Sequence, residues 1–132
     1  MQILSPQPKY MKTKIKKLPT LAQLRRKADR LYQIYCLTKN SNSLLSGIQA
    51  EVVHHFIHKA TSNRLRYDPE NGITLTNREH CRIHTQNDPA DILAIVANKG
   101  KKWQEYIAKA RQELVKPNRD FYLTAIKNLS LC

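Results

Sequence analysis

Apolar residues recur at three- and four-residue steps over four stretches of the chain, and this spacing predicts amphipathic helices. The first helix is predicted from Thr20 to about residue 37, and Thr20 with Gln23 has the pattern of a capping box at its start. Three more helices are predicted between about 88 and 130. Asp88-Pro89 gives the first of these its start, because a proline in the first turn needs no backbone N–H.

Two shorter stretches have the composition of β-strands. Val52-Val53 precedes His54-His55, and the run 73–76 follows an Asn71-Gly72 step, which is a strong turn signal. A helical pattern comes directly after the second of these strands. The order predicts a small ββα unit. The whole chain is therefore expected to be a mainly helical α+β protein, with one helix before this unit and two to three helices after it.

Composition divides the chain into a basic arm and one domain. Residues 1–19 are rich in lysine and proline and have little periodicity, so they are expected to form a flexible arm that lies along a phosphate backbone or stays a solvated tail. Residues 20–132 are expected to form a single domain, with the ββα core at about 50–86. Three scattered cysteines favour a cytoplasmic setting, and no apolar run approaches the roughly 18 residues that span a membrane.

The excess of basic residues narrows the class of partner. The chain has 23 Lys+Arg against 10 Asp+Glu, a formal net charge of +13. Such a charge favours nucleic acid, through contacts with phosphates and release of counterions. An acidic membrane and a merely solvated basic surface are the alternatives, but no basic amphipathic segment with a Trp/Phe-rich face stands out.

All five histidines fall within the stretch from Glu51 to His84. His80 and His84 are four residues apart, so on a helix their imidazoles share one face and are close enough to bind the same metal ion. His54 and His55 are neighbours on the first predicted strand, where successive side chains point to opposite faces. One of this pair can therefore join the metal while the other is free to act as a base.

These motifs, in this order, resemble the HNH, or ββα-metal, nuclease family. The segment Leu65–Leu75, with the sequence LRYDPENGITL, is also similar to phage NinG-type recombination proteins and their HNH relatives. The resemblance covers roughly residues 48–86. It implies a metal-dependent DNA endonuclease that hydrolyses phosphodiester bonds, acting in phage or prophage recombination or DNA processing.

The resemblance also implies a role for each site residue. His54 matches the first metal ligand and His80 and His84 the others, with one divalent ion (Mg, Mn, Zn or Ni) as the cofactor. His55 matches the general base, whose ordinary pKa near 6.5 suits that task, and Asn71 the residue that orients this base by a hydrogen bond. Nearby basic residues are expected to contact DNA phosphates rather than only to solvate the surface: Lys59, Arg64, Arg66, Arg78 and Arg82.

Many HNH relatives bind a structural zinc through two Cys-x-x-Cys pairs, but this chain has Cys36-x-x-Lys39 and Thr76-x-x-Glu79 at those positions. One cysteine cannot form an all-thiolate site, so no structural zinc is expected. Thr76 and Glu79 instead have the pattern of a capping box that starts the metal helix. Cys81 is expected to be a small buried side chain.

Two further details depend on local structure. Arg64 and Arg66 alternate with Leu65 and Tyr67, which predicts an extended segment with one buried face. Trp103 lies in a helical apolar stripe, so it is expected in the core rather than stacked on a base.

Two other functions stay open. The first is a catalytically inactive HNH-like DNA-binding module of a recombination complex, in which the metal is only a structural clamp. The second is a structural partner of phage recombination proteins. Duplex and branched DNA both suit the pattern, and the sequence indicates no oligomeric state.

Overall fold

In the computed structural model, residues 17–130 are described, so most of the predicted arm lies outside the described residues. The elements in chain order are α1 (Leu21–Lys39), β1 (Val52–His55), α2 (Asn63–Arg66), a 3-10 turn (Pro69–Asn71), β2 (Gly72–Leu75), α3 (Asn77–Gln86), α4 (Pro89–Lys99), α5 (Lys101–Arg111) and α6 (Arg119–Leu129). The expectation of a mainly helical α+β fold with a small sheet is confirmed. Within residues 17–130, no helix is long and apolar enough to cross a bilayer.

The two strands form an antiparallel pair in which His54 lies opposite Ile73 and His55 opposite Gly72. The Asn71-Gly72 step is not a two-residue hairpin turn with positive φ. Asn71 ends the 3-10 turn, and Gly72 has a φ of −92° and begins β2. Gly72 is required by packing rather than by its backbone conformation. A Cβ there would lie 2.8 Å from the Tyr32 hydroxyl and 2.9 Å from Val53 Cγ1.

The segment that carries Arg64 and Arg66 is helical, so the prediction of an extended segment is wrong. Ser62 caps this short helix by accepting a hydrogen bond from the Leu65 backbone N–H, and Leu65 is fully buried. Alternation of polar and apolar residues over only four positions fits one helical turn as well as a strand. The cap decides between them, because it satisfies a backbone donor of the first turn.

Both predicted capping boxes are confirmed. In α1, Thr20 Oγ1 accepts from the Gln23 N–H at 3.1 Å, and Gln23 Oε1 accepts from the Thr20 N–H at 2.8 Å. In α3, Thr76 and Glu79 form the same reciprocal pair, at 3.1 and 2.8 Å. The Glu79 carboxylate also accepts a hydrogen bond of 2.6 Å from the Ser43 hydroxyl, which joins α3 to the loop after α1.

The three C-terminal helices follow the predicted order, with Asp88 capping α4 and Asn118 capping α6. Helix α5 ends at Arg111, although the helical spacing of apolar residues continues to Leu114, which is 99% exposed. After this helix, the Val115 carbonyl accepts a hydrogen bond of 3.1 Å from the Asn63 side-chain amide, which ties the segment to α2. Leu93 of α4, which the helical pattern places in the core, is 66% exposed.

Two apolar clusters lie on opposite faces of the sheet. The first joins α1 and α6 to Val53 and Tyr67, and it includes the buried Tyr32. The second joins α3, α4 and α5 to Ile73 and Leu75. Trp103 is in this second cluster, as predicted, and its indole N–H donates to the Glu70 carbonyl at 2.6 Å. The strand with the two adjacent histidines therefore lies between two packed layers.

Candidate metal and catalytic site

Three histidines converge at the edge of the second layer. His54, His80 and His84 each offer a ring nitrogen, and these atoms lie within 4.8 Å of one another. His54 is buried, His80 is half-buried and His84 is exposed. The trio of His54, His80 and His84 is therefore buried at His54 and open to solvent at His84.

The local structure explains why these three meet. Strand alternation turns His54 towards the sheet face that α3 covers, because His54 lies beside Ile73 of the second cluster. His80 and His84 are one turn apart on α3 and present their rings on the same side, with ring centroids 4.4 Å apart. The rings of both are 5.2 Å from that of His54.

The donor set fits a divalent metal ion. His80 Nε2 and His84 Nε2 are 2.9 Å apart. Two nitrogens bound at about 2.0–2.1 Å to one zinc ion, at angles of roughly 90–110°, are separated by about 2.9–3.4 Å. Three imidazoles also leave coordination positions open for water and a phosphate oxygen, as in catalytic rather than structural sites.

Burial favours the form that can bind a metal ion in two of the three rings, those of His54 and His80. The pKa of His54 is lowered to about 3, chiefly by burial and then by the neighbouring His80 and His84. Burial also lowers the pKa of His80. A neutral imidazole has a free lone pair, so the protein without metal holds these rings ready to coordinate.

His55 lies on the opposite face of the same strand. Its ring stacks on that of Tyr32, with centroids 4.8 Å apart, and its Nε2 lies 2.9 Å from the Arg66 carbonyl oxygen. Because a carbonyl only accepts, Nε2 carries the proton and Nδ1 has the lone pair. The pKa of His55 is lowered, chiefly by burial, so the ring is neutral near pH 7. This tautomer suits a base.

Asn71 does not orient His55 by a direct hydrogen bond. Its side chain is fully buried, and it bonds both the N–H and the carbonyl of Ile57, at 2.8 and 2.9 Å, and the Leu65 carbonyl at 3.2 Å. The Arg66 carbonyl holds His55 instead. The Asn71 carbonyl also accepts a hydrogen bond of 2.9 Å from the backbone N–H of Phe56, the residue next to His55. Asn71 therefore acts on His55 indirectly, by fixing the backbone beside His55 and beside Arg66.

One cleft brings the trio and His55 together. This histidine cleft has a volume of about 280 Å³ and is lined by Gln33, Val52, Val53, His54, His55, His58, Lys59, His80 and His84. A larger groove of about 650 Å³ lies elsewhere, between α1, α2 and α6, and no histidine lines it. The histidine cleft is the candidate functional site because it contains side chains that can bind a metal ion and accept a proton.

Three of the five predicted DNA contacts are engaged within the protein. Arg64 pairs with Asp68 at 2.8 Å and with Glu113 at 2.9 Å, and Arg82 pairs with Asp91 at 2.8 Å. Arg66 holds both carboxylate oxygens of Asp29. Lys59, in the cleft, and Arg78, on α3, are exposed, and neither forms an ion pair with another residue of the described part.

Sequence reasoning missed the contribution of α1. The Gln33 side chain donates to the Val53 carbonyl at 3.0 Å and accepts from the Val53 N–H at 2.9 Å, which satisfies the free edge of β1. The only signal was a polar residue next to the apolar stripe, just after Tyr32. His58 also lines the cleft, with its ring 6.2 Å from that of His54 and 6.0 Å from that of His84.

Cys81 is exposed, so the prediction of a buried side chain is wrong. It lies on the solvent side of α3, whereas the buried positions of that helix are Glu79 and Ile83.

Comparison of the chain with protein-family models, with curated proteins and with solved structures gives no match.

Proposed function

We propose that this chain is a metal-dependent DNA endonuclease that hydrolyses phosphodiester bonds with one divalent ion, as HNH nucleases do. The observation that carries the proposal is a single cleft that contains both the three histidines able to bind a metal ion and the separately held His55. His54 and His55 are adjacent residues of β1, and His80 and His84 lie on α3. The resemblance to phage NinG-type proteins extends the proposal to phage or prophage recombination or DNA processing.

Each residue has a distinct task in this reaction. An ion held by His54, His80 and His84 would polarise the scissile phosphate and offset the negative charge of the leaving oxygen. His55 Nδ1 accepts the proton of the water whose oxygen forms the new bond to phosphorus, as the bond to the leaving oxygen breaks. The Arg66 carbonyl stabilises the resulting imidazolium, because it accepts a hydrogen bond from Nε2–H.

The residues of the cleft and the charge of the chain favour particular metal ions and a particular class of substrate. Three imidazoles favour transition metals such as Zn, Mn or Ni over Mg, which prefers oxygen ligands. The net charge of +13 favours a polyanion as substrate. Lys59, at the rim of the cleft, is placed to contact a phosphate there.

Nicking of supercoiled plasmid, with Mg, Mn, Ni or Zn supplied in turn, tests this proposal. His55→Ala should lower cleavage by about 10²-fold or more, the usual effect of losing a general base, and should leave metal affinity nearly unchanged. His80→Ala and His84→Ala should weaken metal binding itself. His58→Ala is the matched control. It removes an imidazole from the same cleft and should keep most of the cleavage.

Two results would contradict the proposal. Cleavage that is undiminished in His55→Ala would show that His55 is not the base. A wild-type protein that binds metal and DNA but cleaves with none of the four metals would be the non-catalytic DNA-binding module instead.

A further inference from the structure

Ion pairs within the protein engage several of the cations that the sequence predicts as DNA contacts. Arg64, Arg66 and Arg82, three of the expected phosphate contacts, are each held by a carboxylate. By contrast, four exposed cations in the first half of α1 form no ion pair with any residue between 17 and 130: Arg25, Arg26, Lys27 and Arg30. Beside Lys59 and Arg78, α1 therefore offers a further group of cations that no carboxylate of the described residues engages.

Helix geometry selects two of these four cations. At about 100° per residue, Arg26, Arg30 and Gln33 fall within an arc of about 60° on α1, whereas Arg25 and Lys27 point about 100° to either side of Arg26. Gln33 is bonded to the edge of β1 and lines the histidine cleft. At about 1.5 Å per residue, Arg30 lies about 4.5 Å and Arg26 about 10 Å from Gln33 along the helix axis. The two arginines thus extend from the wall of the cleft.

One acidic residue on this side of α1 would weaken such a surface if it were free. Asp29 is three residues from Arg26 and next to Arg30, within reach of either guanidinium. Its carboxylate is instead held by two nitrogens of Arg66, at 2.9 to 3.2 Å, and by the Tyr67 hydroxyl at 2.8 Å. Arg66 therefore neutralises Asp29 and leaves Arg26 and Arg30 with their full charge.

We propose that Arg26 and Arg30, the α1 arginine pair, bind consecutive stretches of a DNA phosphate backbone and lead it past Gln33 into the histidine cleft. The inference rests on the proposed function, because it supplies the substrate path for that site. The recognised group is the phosphate, so binding through this pair carries no sequence preference. Arg66, expected to touch DNA, acts here as a positioning residue that keeps Asp29 occupied.

The test compares two double variants of the same helix. Arg26→Gln/Arg30→Gln removes the pair, and Arg25→Gln/Lys27→Gln removes the same amount of charge from the flanking faces. Binding of a fluorescent duplex is measured by anisotropy in EDTA over a range of salt concentrations. The slope of log Kobs against log salt should fall in magnitude by about 2 for the pair variant, since each phosphate contact contributes about 0.9. Its affinity at low salt should fall about 10-fold or more, and the flanking variant should resemble the wild type.

An unchanged slope in the pair variant, or an equal fall in the flanking variant, would overturn the proposal. Because the assay contains no metal, it separates this inference from catalysis. A protein that cleaves DNA but has the same salt slope in the pair variant overturns the arginine path alone, whereas a protein that never cleaves but shows the loss supports the path without the nuclease. Binding to anionic vesicles in place of DNA would overturn it in favour of a membrane surface.

A second measurement avoids substitutions altogether. Bound duplex should protect Arg26 and Arg30 of the wild-type protein from an arginine-selective reagent, read by mass spectrometry, and should leave the labelling of Arg25 unchanged. Equal labelling of all three with and without DNA would contradict the proposal.

Discussion

At the scale of single residues, two adjacent histidines acquire different chemistry from the two faces of one strand. His54 enters the layer of α3 beside two further imidazoles, and burial lowers its pKa to about 3. His55 enters the layer of α1, where a ring and a carbonyl fix its orientation and tautomer. The strand thus separates the proposed metal ligand from the proposed base by a single peptide unit.

The lowered pKa of His54 predicts a loss of stability in acid when no metal is bound. The unfolded chain takes up a proton near pH 6.5, whereas the folded state does so only near pH 3. The unfolded state therefore binds more protons over this window, and the free energy of unfolding should fall as the pH falls from about 6.5 towards 3. The slope for one group is at most about 1.4 kcal/mol per pH unit.

Urea unfolding in EDTA at several pH values measures this effect, with His54→Gln as the comparison. In the variant, the free energy of unfolding should depend less steeply on pH, by the contribution of one titrating group. It should still fall with falling pH, because the pKa values of His55 and His80 are also lowered in the folded state. A wild type as stable at pH 5 as at pH 7 would contradict the burial of a neutral His54.

The meeting of His54, His80 and His84 could be predicted from the sequence, but the contacts that hold His55 could not. The four-residue spacing of His80 and His84 is a local property of a helix, and strand alternation separates His54 from His55. The hydrogen bond from His55 to the Arg66 carbonyl depends on the turn of helix α2 and on Asn71, which joins backbone groups distant in sequence. Composition and periodicity carry no signal for such a contact.

At the scale of elements, helix α3 begins with a capping box that is itself tied to the rest of the fold. Thr76 and Glu79 satisfy the first N–H groups of the helix, and Glu79 also receives the Ser43 hydroxyl. The pKa of Glu79 is lowered by its hydrogen bonds from Ser43 and Thr76, against the opposing effect of burial, so the carboxylate stays ionised. The helix that carries two proposed ligands is thereby positioned by polar contacts at its first turn.

Thr76→Ala is therefore expected to affect both stability and metal binding. Loss of the cap should lower the free energy of unfolding by about 1–2 kcal/mol, and a looser α3 should weaken metal affinity measured by calorimetry. Thr20→Ala is the matched control, because it removes the same box from α1, where the contacts are exposed. It should cost about 0.5–1 kcal/mol and leave metal affinity unchanged. Equal effects of the two substitutions on metal binding would contradict the role assigned to Thr76.

Patterns in the sequence predict the long helices of the protein but not its shortest one. Long helices with caps, such as α1 and α4, could be predicted in type and start because many residues agree. The short α2 could not, since four residues do not distinguish a helix from a strand. The exposure of Leu93 and Leu114 shows that an apolar stripe predicts a buried face only as far as another element covers it.

At the scale of the whole molecule, the two apolar clusters are assembled largely from elements that carry no histidine. The first joins α1 to α6, and the second joins α4 and α5 to β2. We therefore expect the core to remain folded without a metal ion, in contrast to small zinc domains that unfold without theirs.

Chelation should leave the protein folded. After treatment with EDTA, the helical circular dichroism signal should persist. Added metal should then raise the free energy of unfolding by about 2.7 kcal/mol at a free concentration 100 times its Kd, and His80→Ala should abolish this rise. Unfolding on chelation, or a stoichiometric zinc that depends on Cys36 and not on His80, would contradict this prediction.

The packing of α1 against α6 affects the order in which the protein can fold during its synthesis. Its buried stripe packs against Tyr122, Ala125 and Leu129 of α6, the last helix within residues 17–130, and Arg119 at the start of α6 donates to the Pro19 carbonyl. At roughly 5–20 residues per second, the ribosome makes the chain from Gln86 to Leu129 in about 2–9 s. During those seconds the histidines have all been synthesised, but α1, against which His55 packs, still lacks the part of its apolar cover that α6 provides. We therefore expect a nascent chain to complete the proposed metal and catalytic site only after α6 has been synthesised.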